Sequence, residues 1–236
     1  MSRGSSYWKR RVQRHIGLAV ASVVLMVIVF YLTRYLTRSD FIWFKLSMAS
    51  AYTALALLGA TLATGPWNVL RSRPNPVSTD LRRDLGIWAG IVGLFHVAVG
   101  LQVHAGGDIW LYFFHPPAPE RLVVRLDPAG FSNHTGLIAT LLLVILLALS
   151  NDYSLRSLGR TRWKTIHRSV YVAFLLIVAH GALYQLLEKR ILPLVVLFGA
   201  MVATVAAIQL AGVRRLRARA RRTASGASLP TSSANR

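Results

Sequence analysis

Seven histidines are the residues of this chain best suited to chemistry, because its 236 residues include no cysteine and only eight Asp or Glu. His96 and His180 lie deep within long uncharged stretches, and His167 stands just before one. Ionisable side chains are costly inside a membrane and usually mark a functional site there. The absence of cysteine excludes disulfides, iron–sulfur clusters, thiolate metal sites and covalently attached haem. A metal would have to be bound by histidine or carboxylate.

His96 and His180 are predicted to lie at the same depth. His96 follows Asp84 by 12 residues and His180 follows Arg168 by 12, which places each about 18 Å along its helix from the same membrane edge. Two imidazoles at one depth on two helices are suited to bind a haem iron from both sides. The alternative is that each is a neutral histidine hydrogen-bonded across helices.

The other histidines are weaker candidates. His167 lies beside arginines and a lysine, so it is either a ligand or an interfacial residue. On one ideal helix, His167 and His180 would point about 140° apart. They would face one cleft only if a π-bulge or a frayed turn distorts the helix near residues 163–168. The remaining four are expected to be structural or surface residues: His15, His104, His115 and His134.

Four glycines recur on the predicted face of the third helix that carries His96: Gly86, Gly90, Gly93 and Gly100. Small side chains on this face would let a flat macrocycle approach closely. They would equally serve as a small-residue motif for packing one helix against another. The sequence alone leaves both explanations open.

Transmembrane helices must position these histidines. Hydrophobic residues make up 54% of the chain, and six stretches without Lys, Arg, Asp or Glu are long enough, or nearly so, to cross a bilayer. They are residues 16–33, 46–70, 85–103, 128–151, 169–187 and 191–213. The sequence therefore predicts an all-α integral membrane protein with a six-helix transmembrane bundle, its first span a retained signal anchor.

The basic residues predict the orientation. Of 28 Lys and Arg, 21 lie in the termini and in the second-to-third and fourth-to-fifth connections, so the positive-inside rule places the N and C termini in the cytoplasm. We expect a basic N-terminus over residues 1–15, the bundle over 16–213, and a basic tail over 214–236 that is disordered from Thr223. The net charge of +20 is spread between apolar stretches, which argues against nucleic acid and for a lipid bilayer as partner.

One long segment, residues 104–133, is predicted to be external. It contains four prolines and an aromatic cluster at residues 110–114, which we expect in the interfacial belt of the membrane.

Several segments resemble the bacterial ferric reductase-like transmembrane domain, and within it the haem-binding membrane subunit of methionine-sulfoxide reductase systems. They are residues 81–86, 94–96, 149–151 and 156–159, and above all Trp163-x-x-x-His167 followed 13 residues later by His180. The resemblance runs from about residue 46 to residue 187. It implies a helical bundle that holds b-type haem and passes electrons across the membrane.

The resemblance also implies ligands. His96 and His180 would form one pair, and His167 would bind a second haem on the cytoplasmic side, giving one haem b or two. The fourth ligand found in larger relatives is missing, because Arg82 and Arg83 stand near its position, and His15 is a conceivable substitute. Arg82 and Arg83 could pair with haem propionates, attract an acidic donor, or only fix the topology. A flavin, used by some relatives, is neither supported nor excluded.

The predicted function is a b-type cytochrome of the cell (inner) membrane. Electrons would pass from a quinol or a cytoplasmic flavin reductase to an external acceptor or a partner reductase. The sequence contains no G-x-G-x-x-G motif for a nucleotide of its own. One alternative is a transporter or assembly scaffold without haem. Another is an enzyme active in its own right, such as a ferric or quinone reductase.

Overall fold

The structure is a computed structural model that describes residues 2–72 and 76–227. Its helices are α1 (Ser2–Thr37), α2 (Ile42–Leu70), α3 (Pro76–Gly100), the short α4 (Trp110–Phe113), α5 (Pro128–Ala148), α6 (Asp152–His167), α7 (Val170–Leu187) and α8 (Leu192–Ala227). A 3₁₀ turn (Ala105–Gly107) and two paired antiparallel strands, β1 (Phe114–His115) and β2 (Val123–Val124), lie between α3 and α5.

Six candidate membrane spans occur within the described residues, which confirms the predicted all-α bundle. Several helices are longer than the uncharged stretches that predicted them. α1 takes in the basic N-terminal residues, and α3 begins at Pro76 rather than residue 85, so Arg82 and Arg83 are helical. α8 continues to Ala227, past Thr223, from which the sequence predicted a disordered tail. Residues 228–236 lie outside the described residues.

α2 is the central helix of the bundle, with α1, α3 and α8 packed around it. Its buried residues occupy most of its circumference, including Ala49, Leu58 and Leu62. A helix that is apolar on every side is suited to such an interior position. α5 and α7 form a second packed pair, and α5 also contacts α3. The space between α2, α3, α5 and α7 is where the histidine pair lies.

The two ends of the bundle differ in composition. The beginning of α1, the α2–α3 connection, α6 and the end of α8 share one end, which we call the basic end because ion pairs join Arg11, Arg14 and Arg83 to carboxylates there. The other end, called the loop end, carries residues 101–127 and the short connections 38–41 and 188–191.

α6 is an element that the sequence did not predict. Its N-terminus is capped by Asn151, whose side chain accepts a hydrogen bond from the Ser154 amide at 2.7 Å. Gly159 breaks the helix with φ of 72°, a conformation that glycine adopts without steric cost. The connection to α7 is tightened, since Arg168, Ser169 and Tyr171 each donate to the carbonyl three residues earlier. The distortion is therefore of the 3₁₀ type and not a π-bulge.

Tyr112 organises the loop end. Its ring is buried, and its hydroxyl lies 2.9 Å from the Leu101 carbonyl and 3.0 Å from the His104 carbonyl. The loop is thereby fastened to the end of α3, so this member of the aromatic cluster is internal and not in the interfacial belt. α5 then begins with Asp127 as N-cap, accepting from the Gly130 amide at 2.6 Å. That bond, with Arg125, holds the pKa of Asp127 below its ordinary value.

Candidate functional site

His96 on α3 and His180 on α7 face each other across the bundle. Their ring centroids are 6.5 Å apart, and the ring planes are inclined by 77°. The equal depth inferred from the sequence therefore corresponds to a close pair of imidazoles. Both rings line a cavity of about 280 Å³ enclosed by α2, α3, α5 and α7 and extending to the loop end.

The two imidazoles are oriented by the same kind of hydrogen bond. His96 Nδ1 lies 3.1 Å from the Ser47 carbonyl on α2, and His180 Nδ1 lies 2.9 Å from the Ser132 carbonyl on α5. A carbonyl oxygen can only accept, so each Nδ1 carries the proton and each Nε2 presents a lone pair. In proteins, the ring nitrogen of a metal-binding histidine that does not bind the metal usually makes a hydrogen bond of this kind, which fixes the orientation of the ring.

The spacing of the pair fits one metal ion between the rings. With metal–nitrogen bonds of about 2 Å, and each nitrogen about 1 Å from its ring centre, the ring centres would lie a little over 6 Å apart. No group of three or more His, Cys, Asp or Glu that could hold a metal ion occurs in the described part of the chain. Two histidines alone therefore suit a metal that arrives with other ligands of its own, as iron does in a macrocycle.

Small residues make the room for such a group. Among the cavity lining are Ala51, Ala89, Gly93 and Gly136. Gly136 on α5 is tightly constrained, because a Cβ there would lie 2.7 Å from His180 Nδ1. A side chain at this position would collide with the ring whose orientation defines the site.

The four glycines of α3 divide between the two explanations that the sequence left open. Gly93 and Gly100 line the cavity. Gly86 faces Thr61, and Gly90 faces Leu147, both at ordinary packing distances for an added Cβ. One half of the motif therefore borders the site, and the other half packs helices together.

The cavity becomes polar toward the loop end. The His180 and Tyr184 ring centroids lie 5.0 Å apart, and the Tyr184 ring stacks on His104 at 6.0 Å. His104 Nε2 in turn lies 2.9 Å from a Glu188 carboxylate oxygen, and Glu188 also pairs with Arg190. A second cavity, of about 400 Å³, adjoins this group between α7 and the loop. His104, expected to be structural or superficial, thus borders the site.

His167 lies at the basic end and lines neither of these cavities. Its ring stacks on Trp163 with centroids 3.7 Å apart, and its Nδ1 lies 3.0 Å from the Trp163 carbonyl. Its Nε2 is 3.3 Å from Ser150 Oγ. The 3₁₀ turn after α6 does not bring His167 into the cleft of His96 and His180.

The other predicted residues of the basic end each contact different neighbours there. Arg83 pairs with Asp152 at 2.6 Å. Arg82 lies near Gly65, and neither arginine lines the cavity of the histidine pair. His15, considered as a fourth ligand, has its Nδ1 3.2 Å from Trp88 Nε1 and its Nε2 3.4 Å from buried Asp84.

Residues 48–178 match the family described as ferric reductase like transmembrane component. The chain belongs to this family. The matched segment contains α3 with His96 and α6 with His167, and it ends just before His180.

Individual relatives share about three residues in ten with this chain over the part that aligns. A protein of Bordetella pertussis named protein-methionine-sulfoxide reductase heme-binding subunit MsrQ is 30% identical over 146 residues, which are 62% of this chain and 59% of that protein. The protein of the same name from Brucella anthropi is 31% identical over 140 residues, 59% of this chain and 55% of its own length. The chain thus spans less than two thirds of these curated relatives.

Three features of the site were not predicted from the sequence. Gly136, the carbonyls of Ser47 and Ser132, and Arg190 all depend on contacts between distant helices. Gly136 gave a weak signal as a glycine four residues after Ser132, on the same predicted helix face. Nothing in the pattern distinguishes the two carbonyls, because every residue has one.

Proposed function

We propose that this chain is the haem-binding, electron-transfer subunit of a membrane oxidoreductase, with His96 and His180 as the axial ligands of one b-type haem. The observation that carries the proposal is the pair itself: two imidazoles 6.5 Å apart, each with Nδ1 directed to a carbonyl. Further support comes from family membership and from relatives named as heme-binding subunits.

Haem would supply reversible one-electron chemistry, and with both His96 and His180 holding it, the metal would not bind a substrate. The residues of the chain hold and orient it. The Ser47 and Ser132 carbonyls fix the tautomer and direction of each imidazole. Apolar side chains of the lining, such as Leu55, Leu58 and Phe198, keep water from the centre of the cavity. The site is therefore suited to pass electrons and not to bind a substrate at the metal.

The donor and acceptor belong to the same proposal. The basic end faces the cytoplasm of the cell by the positive-inside rule, and a quinol or a cytoplasmic reductase supplies electrons. The loop end faces outward, where a partner reductase accepts them, as the names of the relatives suggest for those proteins. The inner membrane is the location that this arrangement requires.

His167 is proposed as the ligand of a second haem. The Ser150 hydroxyl has a single proton, and it donates this proton to the Leu146 carbonyl at 2.6 Å. The contact of 3.3 Å with His167 Nε2 therefore leaves the lone pair of that nitrogen without a donor. With Nδ1 directed to the Trp163 carbonyl, His167 has the same tautomer as the other two ligands. A second axial ligand for this haem is not identified among the described residues.

The visible spectrum of the purified protein tests the proposal. Reduction with dithionite is expected to give a sharpened Soret band and an α band typical of a b-type cytochrome. A colourless protein from cells that make haem would contradict the proposal. It would favour a transporter or scaffold in which the histidines pack or relay protons.

A further inference from the structure

Arg190 is a basic residue in the wall of the cavity. It is the only lysine or arginine among the described residues that line the cavity of His96 and His180. It follows the end of α7, and its amide donates to the Gln185 carbonyl at 3.0 Å. Its side chain is only 12% exposed. A guanidinium withdrawn from water at a cavity wall normally has a specific anionic partner.

The guanidinium is also held in place from outside the cavity. Its Cζ lies 4.5 Å from the centre of the Phe44 ring at the start of α2, in the geometry of a cation–π contact. Arg190 thus bridges α2 and the end of α7, the helix that carries His180. Its position is fixed relative to the histidine pair.

Glu188 is the one acidic residue among the described residues that line this cavity. Glu188 pairs with Arg190, but the same carboxylate also contacts His104 at 2.9 Å. Glu188 contacts His104 through Oε1 and Arg190 through Oε2. The Gln185 side chain, which lines the same cavity, has a buried Oε1 without a hydrogen-bond partner. Gln185 Oε1 is an acceptor and would need a donor, so the capacity for a carboxylate lies in the guanidinium, which has five N–H donors and contacts Glu188 through Nη2.

We propose that Arg190 binds a carboxylate on the edge of the macrocycle held by His96 and His180. This inference rests on the proposed function, and it assigns the orientation of the group: its carboxylate edge faces the loop end. Arg82 and Arg83, which the sequence suggested for this role, lie about 20 Å along α3 from His96 and do not line the cavity. A second carboxylate would pair with Arg190 while Glu188 keeps its contact with His104.

The experiment compares the full-length protein, purified with its haem, with Arg190→Gln, Arg190→Lys and Lys189→Gln. Lys189 is the matched control, since it is adjacent, exposed and outside the cavity lining. Haem release is measured as transfer to excess apomyoglobin, and the propionate bending band is followed by resonance Raman spectroscopy. A charge-assisted hydrogen bond of this kind corresponds to about a ten- to hundredfold change in affinity.

Arg190→Gln is expected to release haem at least tenfold faster and to shift the propionate band. Arg190→Lys keeps the charge and should retain most of the haem, and Lys189→Gln should match the wild type within twofold. Release at the wild-type rate with an unmoved band in Arg190→Gln would overturn the inference, as would an equal effect of Lys189→Gln. If Arg190→Gln does not fold, the folded Arg190→Lys variant decides the question. Haem release from Arg190→Lys as fast as from a His96→Ala variant would overturn the inference. A wild-type protein without haem would contradict the proposed function as a whole.

Discussion

At the scale of single residues, both imidazoles are held by backbone and not by side chains. The carbonyls of Ser47 and Ser132 accept from the two Nδ1 atoms, while the Ser50 and Ser132 hydroxyls lie farther away, at 3.4 Å from the same nitrogens. The tautomer therefore depends on the placement of α2 against α3 and of α5 against α7. The sequence predicted the pair through its depth, but it could not predict these bonds, which arise only when the helices pack.

Gly136→Ala is predicted to lower the haem content of the purified protein by at least half. The new Cβ would lie 2.7 Å from His180 Nδ1, so the ring would have to turn away from the Ser132 carbonyl and from His96. Haem is measured per protein by the pyridine haemochromogen assay. The control is Gly199→Ala on α8, where an added Cβ meets nothing within 4 Å. Full haem content in Gly136→Ala would show that the His180 position is not constrained in this way.

At the scale of elements, an ionic cluster joins α1 to the bundle at the basic end. Asp84 on α3 is fully buried, and it lies 3.1 Å from Arg14 and 3.4 Å from His15, both on α1. Arg11, also on α1, lies 3.4 Å from Asp152 at the start of α6. Much of α1 is otherwise exposed on its apolar side, as expected for a helix that faces lipid. The cluster therefore sets how α1 and α6 meet α3.

Asp84→Asn is predicted to destabilise the protein by about 2–4 kcal/mol, because removing one partner leaves buried or half-buried cations without their counter-charge. Thermal unfolding in detergent measures the effect. Asp40→Asn is the matched control, since Asp40 pairs with Arg34 at 3.7 Å but is 87% exposed, and exposed pairs contribute little. Equal unfolding temperatures for the two variants would mean that the cluster does not stabilise the bundle.

Composition predicted the six spans because a helix that crosses a bilayer needs a long run of apolar residues without charged side chains. It did not predict α6, since four arginines and a lysine within and just after it made the segment resemble a connection that sets topology. Its helical order depends on the Asn151 cap and on the bond of Trp163 Nε1 to the Leu149 carbonyl at 2.9 Å. The extension of α1 and α3 beyond the uncharged stretches has a similar cause, because charged helical turns are stable where they meet Asp84 and Asp152.

In the molecule as a whole, the proposed haem at His96 and His180 lies toward the loop end. His96 is only four residues before the end of α3. His167 stands 13 residues before His180, beyond the start of α7 and nearer the basic end. A second haem there would shorten the transfer from a donor at the basic end. Without it, a quinol reaching the site through the membrane becomes the more suitable donor.

The ratio of haem to protein decides between these arrangements. We predict a value near two that falls to one in His167→Ala, because the Nε2 lone pair of His167 has no donor in the bundle. Trp163→Phe keeps an aromatic ring against His167 and should preserve the ratio. A value near one that His167→Ala leaves unchanged would make His167 an interfacial residue.

The proposal that His96 and His180 both bind one haem is tested by substituting each histidine and adding imidazole. The reduced-minus-oxidised spectrum and the haem content are measured for His96→Gly, His180→Gly and the double variant. Each single variant is predicted to lose one haem equivalent, and the double variant is predicted to lose no more than either single variant. Millimolar imidazole is predicted to restore the bis-histidine spectrum of the single variants. Full haem content with an unaltered spectrum in both single variants would contradict the claim.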